Sequence, residues 1–148
     1  MLDEKVLRQR VTEYLGSRIS QAKTSIWGNI CLVYLFGSRV TGRGWKREKD
    51  LDLGVYFEPH KKFALEDGEL ISEELEKELG IKVDVVPLNL APPLVRYEVL
   101  KNRTLLYCAD EQKRVDFEVR SLLEFYELEP MRRRLASEMK RMIREGKF

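Results

Sequence analysis

"YLFGSRVTGRGWKREKDLDLGVYF", residues 34–57, runs from one apolar segment through a glycine-dotted basic loop into a second. "DLDLGVYF" (50–57) reads as a strand, and side chains in a strand alternate between faces. Leu51, Leu53, Val55 and Phe57 then form a core-facing set, while Asp50 and Asp52 share the opposite face. Two carboxylates side by side repel, and burial raises the cost, so such a pair is stable mainly where a cation or a proton neutralises it. Hard divalent cations such as Mg²⁺ take oxygen ligands of this kind and leave positions open for phosphate. An isolated acid pair more often marks a solvated strand end, so its neighbours decide the reading.

Three neighbours bear on it. Gly37 and Ser38 end the preceding strand, where a glycine permits close backbone approach and a hydroxyl beside exposed amides can hold phosphate oxygens. The loop after them carries Arg39, Arg43, Lys46, Arg47 and Lys49, a cationic lining suited to a triphosphate. "KVDVVPL" places Asp84 inside a third apolar run, where an aspartate has little structural reason to be. Alternation sets Asp84 opposite Val83 and Val85, so it shares the face of Asp50 and Asp52 if the two strands are neighbours. Three acids on adjacent strands suit a two-metal phosphoryl site.

Outward from this stretch, apolar residues near helical spacing (Leu2, Val6, Leu7, Val11, Tyr14, Leu15, Ile19) predict an amphipathic helix over residues 3 to about 22. "NICLVYLF" (29–36) is apolar on both faces, as a central strand should be. A turn at 59–62 leads into a helix over 63–80 ended by Gly80, then a strand over 81–88. "PLVRYEVLKN" predicts a short helix, "TLLYC" a short strand, and residues 111–147 a helical segment kinked or broken at Pro130. Within it, Val115, Val119, Leu122 and Tyr126 are expected in the core. Met131, Leu135, Met139, Met142 and Ile143 form a stripe that would pack on the domain or on a partner. Helices and strands mixed throughout give an α/β (α+β) domain, a small mixed sheet flanked by helices.

With 148 residues, 43% hydrophobic and 35% charged, the chain is expected to form one globular domain over 1–148. No apolar run approaches the roughly 20 residues that span a bilayer, and "MLDEKVLRQR" reads as a charged helix start rather than a signal peptide, so a cytoplasmic location is expected. Cys31 and Cys108 both fall in apolar strands and read as packed thiols; no zinc spacing is present. The single histidine, His60, has no serine or cysteine motif to serve, which argues against a hydrolase triad. Trp45 reads as an ordinary loop aromatic, with stacking on a base or a partner as the minor alternative. Residues 130–148 carry seven Lys or Arg against two Glu, a net of +5, leaving about −3 for the first 129. That basic end suits docking to an acidic surface, with RNA contact not favoured; a solvated helix face is an equal alternative.

Gly37-Ser38, then Asp50-x-Asp52, then Asp84 on a later strand together resemble the signature of the DNA polymerase β-like nucleotidyltransferase superfamily. The stretch "VDVVPLNLAPPLVRYEVLKNRTLLYCADEQKRVDFEVRSLLEFYELEPMRRRL" further resembles its minimal nucleotidyltransferases, the MNT antitoxins paired with HEPN toxins. The likeness runs from about residue 4 to 145.

That resemblance implies the polymerase β-like fold with C-terminal helices, binding of Mg²⁺-ATP, and transfer of AMP with release of pyrophosphate. It implies as acceptor a tyrosine on a partner HEPN ribonuclease toxin, which the modification silences. Asp50 and Asp52 would hold two Mg²⁺ ions; Asp84 would hold the catalytic one and help activate the incoming hydroxyl. Gly37 and Ser38 would grip the β- and γ-phosphates, with Arg39 as a further phosphate contact and Arg43 a weaker one. The chain departs from the subgroup in a loop one residue longer, "RVTGRGWKREK", and in Lys49 where a serine is common. An inserted loop residue is absorbed without moving the strand, so activity stays the leading expectation. Two other readings stand beside it: an antitoxin that neutralises by binding alone, and a nucleotidyltransferase acting on a small molecule or an RNA end.

Overall fold

The computed structural model describes residues 4–21, 26–37, 51–59 and 65–147. Helix α1 (Glu4–Gln21) leads through a short 3-10 turn (Ile26–Asn29) into β1 (Ile30–Phe36); β2 (Leu51–Phe57), α2 (Leu65–Leu79) and β3 (Val83–Pro87) follow. Then come α3 (Pro93–Lys101), β4 (Thr104–Cys108) and α4 (Glu111–Arg144). The strands form one sheet in the order β3-β2-β1-β4. Strand β1 is antiparallel to both β2 and β4, whereas β2 and β3 are parallel, joined through α2.

The sheet is covered on both faces, which explains why β1 is apolar throughout. On one face Val33, Leu35, Leu51, Leu53, Val55 and Phe57 pack against Leu7, Val11, Leu15 and Ile19 of α1 and Ile71, Leu75 and Leu79 of α2. Residues four apart on α1 share one stripe, so these positions bury while Val6 stays 45% exposed. On the other face Leu32, Tyr34 and Tyr56 pack against Leu88, Val99, Leu100 and Phe117. Gly80, at φ +71°, closes α2, its N–H reaching Glu76 O at 2.8 Å.

The segment "LNLAPPLVRYEVL" is explained by its contacts. Leu88 is fully buried, and the Asn89 amide pairs with both backbone groups of Phe57, at 2.8 and 3.0 Å, as an added strand residue would. Pro92 and Pro93 open α3, where a missing N–H costs nothing. Arg96 donates to Leu88 O (3.1 Å) and pairs with Glu124 of α4 (3.0 Å), while Tyr97 stacks on Phe125 with ring centroids 3.7 Å apart.

Three features of the C-terminal segment bear on what was expected of it. It is one helix, capped by the Asp110 carboxylate on Gln112 N and Lys113 N, and Pro130 lies inside it without breaking it. Proline removes the hydrogen bond to the carbonyl four residues back, here that of Tyr126, a residue that is 60% exposed. Ion pairs from Glu129 to Arg132 and Arg133 straddle the site. Second, Val115, Val119 and Tyr126 are exposed rather than core; the buried stripe is Phe117, Glu118, Ser121 and Phe125. Third, Met131, Leu135, Met139 and Ile143 do not pack on the domain but are 39–62% exposed. At 100° per residue, Leu135 and Met139 continue the side of α4 that buries Phe117, Ser121 and Phe125, so the inner stripe runs on past the sheet.

Both cysteines are free thiols, Cys31 buried and Cys108 half-buried. Among the described residues, no helix is long and apolar enough to cross a membrane.

Candidate active site

Gly37, Asp52 and Asp84 meet at one end of the sheet. Phe36, the last residue of β1, is registered opposite Asp52, and Asp52 is registered opposite Asp84. Parallel neighbours in register point their side chains to the same face, so the two carboxylates stand side by side. Asp52 is half-buried and Asp84 exposed. Ser38, Arg39, Arg43, Trp45, Lys49, Asp50 and His60 lie outside the described residues.

Gly37 touches the first carboxylate. It holds φ +85°, and a Cβ built on it would lie 2.5 Å from Asp52 Oδ2. Only a glycine both adopts that backbone and leaves the carboxylate its place. Two residues along β2, Gly54 does the same for the core: a Cβ there would meet Val99 and Leu88 methyls at 3.1–3.3 Å. The site thus begins where the cover of Leu88 and α3 ends.

Behind the site the same face is held by a buried polar cluster that nothing in the sequence announced. Tyr34 donates to Glu118 Oε2 at 2.9 Å, and Glu118 also pairs with Arg114 (2.9 Å) and Arg103 (3.1 Å). Burial first, then the bond to Glu118, pushes the Tyr34 phenol well above its ordinary range, so it remains a neutral donor. Burial, reinforced by the Glu58 charge, pushes the Cys31 thiol up to about 12, which removes it as a nucleophile. The acid pair remains the candidate for the chemistry. Asp84 also forms part of the wall of a groove of about 440 Å³ between β3 and α2.

Residues 19–112 match the family model described as polymerase beta, nucleotidyltransferase. The chain belongs to the polymerase β nucleotidyltransferase family. Its matched span holds Gly37, Asp52 and Asp84 with all four strands. Among solved structures, a toxin–antitoxin crystal structure with AMP-PNP superposes with a TM-score of 0.71 at 20% identity, over 86% of this chain and 98% of that one. The MNT antitoxin bound to a tri-AMPylated HEPN toxin of Shewanella oneidensis gives a TM-score of 0.69 at 18% identity, over 93% and 99%. A structure described as a minimal nucleotidyltransferase is 30% identical over 70% of this chain and 95% of its own, with a TM-score of 0.52. No curated protein matches the chain in sequence. At 18–20% identity the first two establish the shared fold.

Proposed function

We propose that this family member is an antitoxin adenylyltransferase, which transfers AMP from Mg-ATP to a tyrosine of a partner HEPN ribonuclease and so neutralises it. The observation that carries the reading is the registered pair Asp52 and Asp84 beside Gly37. The structural neighbours add weight: one holds an ATP analogue and another a tri-AMPylated HEPN toxin.

The donor set fits hard divalent cations. Asp52 and Asp84 offer only carboxylate oxygens, and their repulsion is relieved by positive charge between them. We assign two Mg²⁺ ions to Asp50, Asp52 and Asp84, where bound metal would neutralise the triphosphate and favour the deprotonated form of the attacking hydroxyl. The remaining work falls to the chain. Gly37 and Ser38 receive the β- and γ-phosphates, and Arg39 adds a charge-assisted contact. Asp84 orients the acceptor hydroxyl. The hydroxyl oxygen bonds to the α-phosphorus while the bond from that phosphorus to the bridging oxygen of the β-phosphate breaks. Pyrophosphate leaves with the electron pair, and the hydroxyl proton passes to water.

The working unit is residues 1–148 as one domain in the cytoplasm. Co-expression tests the reading: wild type should rescue growth of cells expressing the partner ribonuclease, and the Asp50→Asn, Asp52→Asn double variant should not. Full rescue by the double variant, with equal protein levels, would show an antitoxin acting by binding alone.

A further inference from the structure

The groove beside Asp84 is walled by Gly68, Glu69, Ser72 and Glu73 of α2 and by Asp84 and Val85 of β3. Its position matters for an in-line displacement, in which nucleophile and leaving group stand on opposite sides of the phosphorus. Across the sheet the order is Gly37, Asp52, Asp84. With pyrophosphate held toward Gly37, the adenylyl-transfer reading brings the hydroxyl from the Asp84 side, and Asp84 lines the groove.

Strand β3 is an edge strand, so alternate residues turn their backbone groups outward. Leu51 N bonds Lys82 O and Leu88 N bonds Val55 O, which places the even-numbered residues toward β2 and Val83, Val85 and Pro87 toward the edge. Val83 is already satisfied: its N–H donates to Glu76 Oε1 at 3.0 Å and its carbonyl accepts from Ser72 Oγ. Pro87 has no N–H to offer. Among the described residues of β3, Val85 is the one whose outward N–H and carbonyl are both left for pairing, and it lines the groove.

Gly68 is the second signal. A glycine inside a helix is destabilising relative to alanine. Packing does not demand it, since a Cβ would meet Pro87 and Val85 only at 3.5 and 3.6 Å, an ordinary contact. What the missing side chain provides is open groove. Charge is the third: Glu69 and Glu73 are exposed on the groove's wall.

We propose that the groove receives the acceptor as an extended, basic polypeptide segment of the protein partner, paired with the Val85 backbone, drawn by Glu69 and Glu73, and delivering its hydroxyl past Asp84. This rests on the adenylyl-transfer reading above and narrows its substrate class. An RNA end would bring phosphates against the same carboxylates and is disfavoured there.

The test uses the full chain, Mg²⁺ and ATP labelled at the α-phosphate, with two synthetic peptides of equal length whose tyrosine is flanked by arginines or by glutamates. Binding of a non-hydrolysable ATP analogue is measured in parallel by calorimetry. Wild type should label the arginine-flanked peptide about tenfold faster, the equivalent of about 1.4 kcal/mol from two partly solvated charge contacts. Glu69→Lys with Glu73→Lys, at exposed positions that leave the core intact, should reverse the preference. Gly68→Leu should lower labelling of both peptides. Equal labelling of the two, labelling of neither by protein that binds the analogue, or an unchanged preference in the charge-reversed variant would overturn the groove assignment. Failure of wild type to bind the analogue would instead overturn the reading on which it rests.

Discussion

Gly37 holds φ +85° within reach of Asp52, and the consequence of adding one carbon is direct. Gly37→Ala forces either the backbone out of the left-handed region, at a cost of about 1–3 kcal/mol, or Asp52 Oδ2 out of its position. The expected result is loss of ATP-analogue binding by calorimetry with a thermal midpoint only modestly lowered; analogue binding at wild-type affinity would show that the contact is not part of the site. At this scale the sequence was informative for a specific reason. An aspartate inside an apolar alternating run stands out, and alternation alone fixed which face Asp52 and Asp84 share once β2 and β3 proved to be neighbours. Asn89, Arg96 and Glu118 gave no such signal. Each has a polar side chain whose partner lies far along the chain, 32, 28 and 84 residues away, and spacing cannot reveal a contact of that kind.

Among elements, the helices were legible where one stripe is apolar and the other is not. Helix α4 misleads because its buried stripe contains Glu118 and Ser121, whereas its exposed face carries Val115, Val119 and Tyr126. Hydrophobic periodicity picks the greasier stripe; the buried one is chosen by the bonds Tyr34, Arg103 and Arg114 make to Glu118. Helices α1 and α2 are tied by a second polar junction, in which Tyr14 (2.8 Å) and Arg18 (2.8 and 3.2 Å) both donate to Glu74. The Arg18 bond is the main cause holding the Glu74 carboxyl below its usual 4.5, while burial and then Glu74 push Tyr14 up to about 12. A carboxyl whose folded pKa is depressed stabilises the fold above its unfolded value and loses that contribution as pH falls through the folded one. Thermal melts of wild type and Glu74→Gln should therefore differ at pH 7 and converge as pH drops below about 4.5. A gap that persists unchanged at pH 3 would mean that the junction acts through packing rather than charge.

At the scale of the molecule, the sheet and its two covering layers hold the site, and the far half of α4 stands apart from them. Phe117 is 1% exposed and stacks against Tyr34 and Tyr56, so Phe117→Ala should cost about 3–5 kcal/mol in urea unfolding. Leu135 and Met139 are 59% and 39% exposed, and Leu135→Glu with Met139→Glu should leave the midpoint of the isolated chain unchanged. A large loss in that pair would place the stripe against the domain after all. The sequence showed this stripe and its basic surroundings but left its partner open. A helix pattern records that a face is apolar, not what lies against it.

In the proposed function Asp50, Asp52 and Asp84 form a site that moves AMP onto a protein. ATP labelled at the α-phosphate, with Mg²⁺ and the partner ribonuclease, tests it most directly. Wild type should transfer label to the ribonuclease, while Asp50→Asn with Asp52→Asn, and Asp84→Asn alone, should transfer none. Label appearing equally with the aspartate variants, or transferred from γ-labelled ATP run in parallel and not from α-labelled ATP, would contradict AMP transfer by this site.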